Sequence, residues 1–80
     1  MARLMAPDGT KNIIGSKIKK LRKENKLSQE KLMGQLQLLG FDSERGVIKR
    51  IENGARFVTD VEVKLLAEFF GVEYEFLLDE

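Results

Sequence analysis

Helix start and stop signals recur along this chain at intervals too short for any one helix to stand alone. Ser28 and Thr59 open apolar segments, while Gly40, the Asn53-Gly54 pair and Gly71 close them. Within each segment the hydrophobic residues repeat every three to four positions, and nothing alternates strongly enough in polarity to argue for strands. Short helices are marginal in water and are held by burying an apolar face against one another. The expected fold is therefore all-α, a compact array of five helices around one core.

The spacing predicts a first helix from about Asn12, acting as cap, to Asn25, with Ile14, Ile18 and Leu21 in one stripe. Lys17, Lys19, Lys20, Lys23 and Lys26 read as a solvated face, with phosphate attraction at Lys19 or Lys23 as the alternative. The second helix starts after Ser28, whose hydroxyl suits the first-turn N–H groups, and Glu30 complements the dipole. Leu32, Leu36 and Leu39 form its buried stripe, with Met33 at the edge, and Gly40 ends it. A third helix is expected from Ser43 or Glu44 to Asn53, about residues 44–53. Its Val47, Ile48 and Ile51 share one side, and Arg45, Gly46, Lys49 and Arg50 occupy the opposite arc. The fourth opens with a capping box, Thr59-Asp60-Val61-Glu62, and continues through Leu65, Leu66, Phe69 and Phe70 to Gly71. A last short helix, about Tyr74 to Asp79, lays Phe76, Leu77 or Leu78 over the core. Residues 1–11, with Pro7 and Asp8-Gly9 and no period, read as a flexible N-terminal arm, leaving 12–80 as the domain.

Composition narrows the chemistry. The chain has no cysteine and no histidine, which removes disulfides, thiolate metal sites and the commonest general base and zinc ligand. Its acidic residues are scattered along helical faces, so the reading is no enzyme, no catalytic residue, no metal and no cofactor. No apolar run approaches the ~18 residues of a membrane span, and residues 1–10 lack a signal-peptide core, which makes a cytoplasmic location the default. The net charge is only +1, but it is unevenly spread. Residues 1–58 hold 13 Lys and Arg against six Asp and Glu, whereas residues 59–80 hold one against seven. Charge alone leaves open a phosphate-facing surface or simply two differently charged solvated ones.

Particular residues sharpen the choice. Leu27-Ser28-Gln29-Glu30-Lys31-Leu32 and Ile48-x-Arg50-Ile51-Glu52-Asn53-Gly54, followed by Leu66-Ala67, Phe70-Gly71-Val72 and Leu77-Leu78, resemble the lambda repressor/Cro-type helix-turn-helix family. This family is also called the xenobiotic-response-element family, and the resemblance runs from Ile14 to Leu78. The stretch from Leu36 to Asp42 is longer than the family's usual spacing, as if the second helix gained a turn.

The resemblance implies a five-helix, lambda repressor-like domain whose third helix enters the major groove of DNA. It implies base contacts by Arg45, Gly46, Lys49 and Arg50. Arg45 and Arg50 are the expected base readers, because a guanidinium fork can donate to guanine O6 and N7 together. Gly46 departs from the pattern, since it offers no side chain and weakens a helix relative to alanine. Gln29, at a helix N-terminus, is implied to hold one phosphate, and Asn53, Gly54 and Arg56 a second. Arg22 and Glu52 are implied to form a structural ion pair. Arg3 and Lys11 in the arm either reach a groove or are solvated.

The expected function is a sequence-specific transcriptional regulator of bacterial or phage type, a repressor. It would bind a near-palindromic double-stranded operator as a homodimer, since one recognition helix covers few base pairs. Self-association would use the acidic C-terminal part or apolar residues such as Phe57, Val58 and Tyr74. The alternative is a protein–protein interaction module on the same fold, antitoxin-like or regulator-sequestering. The low net charge, Gly46 and the acidic end favour the alternative, and the basic arc of the third helix opposes it.

Overall fold

A computed structural model of the chain describes residues 9–41 and 46–79. These residues form five helices and no strand: α1 Gly15–Glu24, α2 Gln29–Leu38, α3 Val47–Glu52, α4 Asp60–Phe70 and α5 Tyr74–Leu78.

The local signals act as physical chemistry requires. Ser28 Oγ accepts the Lys31 N–H at 3.0 Å, satisfying an orphan donor of the first turn of α2. Thr59 Oγ1 accepts the Glu62 N–H at 3.2 Å, and Glu62 Oε1 accepts the Thr59 N–H at 3.0 Å, a complete capping box on α4. At the end of α3, Gly54 takes a left-handed φ of 72°. This lets the Gly54 N–H reach the Ile51 carbonyl at 3.1 Å and the Ala55 N–H reach that of Arg50 at 2.8 Å. The last turn of α2 closes in the same way, with the Phe41 N–H donating to the Leu36 carbonyl at 3.0 Å. Phe41 is thereby carried into the core, where it is buried.

One apolar cluster holds the helices together. It contains Ile14, Ile18, Leu21, Leu32, Leu36, Phe41, Val47, Ile48, Ile51, Val63, Leu66, Ala67 and Leu77. Half of α3 lies inside this cluster, wedged against α1 and α2, while α5 closes over α4 through Leu77. The approach of α1 to α3 depends on a glycine. A Cβ on Gly15 would overlap the carbonyl oxygen of Ile51 and come within 2.9 Å of that of Glu52. Only a residue without a side chain allows α1 to start against the end of α3.

Four sequence expectations are corrected. α3 begins at Val47 rather than Ser43 or Glu44, because Gly46 stands at its N-cap with φ 78°, a conformation no helix interior contains. Gly46 therefore starts the helix instead of weakening it, and glycine is the residue best suited to that φ. Residues 42–45 lie outside the described residues. Leu39 is 54% exposed, since α2 ends at Leu38 and the Gly40 turn swings it off the buried stripe. α1 begins at Gly15, and Asn12 caps it from upstream: its Oδ1 accepts the N–H groups of Ile14 and Gly15 at 3.1 and 2.9 Å. Lys17 is not simply solvated, because its ammonium donates to the Phe76 carbonyl and lies 5.4 Å from the Phe76 ring centroid.

Candidate nucleic-acid interface

α3 is two-sided because of its sequence. Val47, Ile48 and Ile51 are spaced to fall on one face and are fully buried there. Except for Glu52, the remaining positions turn outward: Gly46, Lys49 and Asn53 are exposed, and Arg50 is half-buried. Arg50 and Gly46 are brought together, since a Cβ on Gly46 would lie 3.5 Å from an Arg50 guanidinium nitrogen. Arg45, expected beside them, lies outside the described residues, as does Arg3 of the arm.

Behind this face sits a buried polar cluster. Arg22 Nε donates to Glu52 Oε2 at 2.6 Å and Arg22 Nη2 to Glu52 Oε1 at 3.1 Å, a forked pair between α1 and α3. The Glu52 side chain is only 2% exposed. The third arm of the guanidinium donates to the Leu27 carbonyl at 2.8 Å, tying the α1–α2 turn into the same cluster. Hydrogen bonding to Glu52, working against burial, holds the Arg22 pKa above its ordinary value. Gln29 joins from the start of α2, its Nε2 donating to Glu52 Oε1 at 3.1 Å. One carboxylate thus fixes α1, α2 and α3 relative to one another. A phosphate contact through the Gln29 amide nitrogen would share or replace that bond.

The segment after α3 is organised by charge as well. Arg56 is paired with Glu62, with guanidinium-to-carboxylate distances of 3.0 and 2.8 Å, and it also donates to the Phe57 carbonyl at 3.0 Å. Burial pushes the Glu62 carboxyl up, but the bonds from Arg56 and from the Thr59 N–H outweigh it and hold the pKa below the usual glutamate value. Asn53 and Gly54 form the turn itself. Gly54 is pressed against Thr10, whose Cβ would be 2.7 Å from an added side chain, and the Lys11 N–H donates to the Gly54 carbonyl at 2.8 Å. The Lys11 ammonium stands 5.6 Å from the Phe57 ring centroid. Thr10 and Lys11 are therefore anchored beside this turn.

Three residues of the scaffold escaped the sequence reading in their full role. Asn12 donates its Nδ2 to the Ile51 carbonyl at 3.2 Å and the Arg56 carbonyl at 2.8 Å, besides capping α1. Gly15 permits the helix contact, and Glu62 serves both capping box and ion pair. The capping-box spacing was a signal for Glu62, whereas nothing local marks Asn12 or Gly15 as long-range partners.

Among the described residues no group of three or more His, Cys, Asp or Glu side chains is placed to hold a metal ion. No helix among them is long and apolar enough to cross a membrane. The chain matches no curated protein and no solved structure. A family model nevertheless matches it: the chain belongs to the helix-turn-helix domain family, matched over residues 15–80.

Proposed function

We propose that this domain is a sequence-specific DNA-binding regulator of the lambda repressor/Cro type, acting as a repressor by laying α3 in the major groove of its operator. The observation that carries this reading is the division of α3. Its apolar side is locked in the core, and Gly46, Lys49, Arg50 and Asn53 are left as a small, basic outer side. A helix inserted in the groove needs such a face: slim enough to approach the base edges and positive enough to lie between phosphate strands. Arg50, with Arg45 five residues before it, reads bases. Gln29, Asn53, Gly54 and Arg56 set the register on phosphates, Gln29 and Arg56 by sharing or exchanging their carboxylate partners.

A second copy completes the reading, giving a dimer on a near-palindromic site in the cytoplasm. It is supported by an open apolar surface between α4 and α5, where Val61, Tyr74 and Leu78 are 72%, 42% and 46% exposed around Val58. The same surface is what favours the second reading, a module that binds another protein.

The experiment is selection from a random duplex pool, followed by binding of the enriched site across a salt series. Enrichment of a two-fold motif, lost on Arg45→Ala with Arg50→Ala while the fold persists, is the expected result. The logarithm of affinity should fall against the logarithm of salt by about 0.9 for each phosphate contacted. No enrichment by a folded sample at dimer-forming concentrations sinks the operator reading in favour of a protein partner. Sedimentation showing a monomer both free and on the enriched duplex would remove the dimer alone.

A further inference from the structure

Two carboxylates hold side chains that the DNA-binding reading assigns to phosphates, and they differ in accessibility. Glu52, which accepts the Gln29 amide, has a side chain only 2% exposed and is gripped by the Arg22 fork, so it has no room to yield. Arg56 and Glu62 lie nearer the surface, with side chains 26% and 18% exposed. Both terminal nitrogens of the Arg56 guanidinium donate to the two Glu62 oxygens, at 3.0 and 2.8 Å. A phosphate offers two oxygens to a guanidinium fork in the same way, so Glu62 occupies the geometry that a phosphate would take.

The surroundings make this one carboxylate decisive. The pair lines a cleft with Lys11, Phe57 and Thr59, where Lys11 and Arg56 bring two positive charges and Glu62 cancels one. Asp60, two residues before Glu62 on α4, adds a further negative charge. The start of α4 offers a phosphate little in return, because its donors are already engaged. The Val61 N–H donates to Asp60 Oδ1, the Glu62 N–H to Thr59 Oγ1 and the Thr59 N–H to Glu62 Oε1. A phosphate entering the cleft therefore depends on Lys11 and on an Arg56 drawn off Glu62.

We infer that Glu62 is a positioning residue that restrains Arg56: it holds the guanidinium fork in the unbound domain and surrenders it to a DNA phosphate, which lowers the affinity of the whole domain for DNA. The inference rests on the phosphate role of Arg56 proposed above. A phosphate contact carries no sequence information. Restraining it weakens binding to any duplex and leaves a larger share of the affinity to the base contacts of α3.

The test measures binding to the duplex enriched by the selection, across a salt series, for Glu62→Gln, Arg56→Ala and the two combined. Glutamine keeps an oxygen for the Thr59 N–H, so the capping box and the fold should persist. Glu68→Gln, at an exposed position of the same helix, removes one negative charge without touching Arg56 and is the control. Glu62→Gln should bind about two- to five-fold more tightly than this control, the range of a partly exposed ion pair. Its salt slope should steepen by up to about 0.9, one phosphate contact. The combined variant should bind no better than Arg56→Ala alone. A gain no larger than that of Glu68→Gln, or weaker binding, overturns the restraint while leaving operator recognition intact. A gain that survives Arg56→Ala also overturns it, since Glu62 then acts elsewhere. A second measurement uses the unmodified protein. Burial raises the Glu62 pKa, and the bonds from Arg56 and Thr59 outweigh it and hold the carboxyl below the usual value. Followed by carbon NMR, Glu62 should titrate higher with the duplex bound, and an identical titration overturns the exchange. Failure to enrich any duplex overturns both readings together.

Discussion

Replacing Arg22 by methionine removes the charge from the α1–α3 pair while keeping most of the side-chain length. Glu52 would then remain with its side chain 2% exposed, deprived of donors at 2.6 and 3.1 Å and keeping only the Gln29 amide. The Leu27 carbonyl would also lose a donor. Stranding a buried charge in this way costs about 3–5 kcal/mol, against about 0–1 kcal/mol for breaking an exposed pair. A domain of 80 residues has about 4–12 kcal/mol in total, so the variant should stand near the limit of folding. Its melting temperature should fall by more than about 12 °C, taking about 4 °C per kcal/mol. Urea unfolding followed by circular dichroism, at low temperature to retain the native baseline, measures the loss directly. The companion variant, Arg22→Met with Glu52→Leu, removes both charges and fills the space with apolar atoms. It should recover most of the loss, because a buried pair replaced by packed hydrocarbon is often neutral or better. A cost below about 1 kcal/mol for Arg22→Met, or a double variant no more stable than the single one, would refute the reasoning.

Other positions give sharper signs than magnitudes. Gly15→Ala should destabilise, although alanine is favoured over glycine by about 1 kcal/mol within a helix, because its Cβ meets the carbonyls of Ile51 and Glu52; a raised melting temperature would show that α1 can shift freely. Lys26→Gly should stabilise by up to about 1 kcal/mol, since Lys26 holds a left-handed φ of 56° that glycine adopts without strain; an unchanged urea midpoint would count against that strain. The folded pKa of Glu62 is depressed, so its contribution is complete above the unfolded glutamate value and is lost as pH falls through the lower, folded value. Between about pH 5 and pH 3, stability should decline less steeply for Glu62→Gln than for the unmodified protein, and parallel profiles would dismiss the linkage.

What the sequence alone determined is what depends on neighbours within a turn. Ser28, the Thr59–Glu62 box and the glycine stops act through hydrogen bonds spanning a few residues, so their positions bound α2 and α4 before any tertiary contact forms. The buried stripes of α1 and α3 follow from helical periodicity for the same reason, whereas on α4 only Leu66 of the expected Leu65, Leu66, Phe69 and Phe70 is fully buried, beside Val63 and Ala67. The start of α3 was also encoded, since its apolar stripe begins only at Val47, with glycine directly before it. Tertiary structure decided the rest. Asn12 holds the Arg56 carbonyl 44 residues away. Gly15 is needed only because α3 ends against it, and the Gln29 amide and Arg56 guanidinium find carboxylates whose proximity no local pattern records. Those partners exist because the apolar faces of α1, α2 and α3 share one core, and sharing it fixes which polar groups at their rims must meet. A buried or half-buried polar group has to be satisfied wherever packing leaves it.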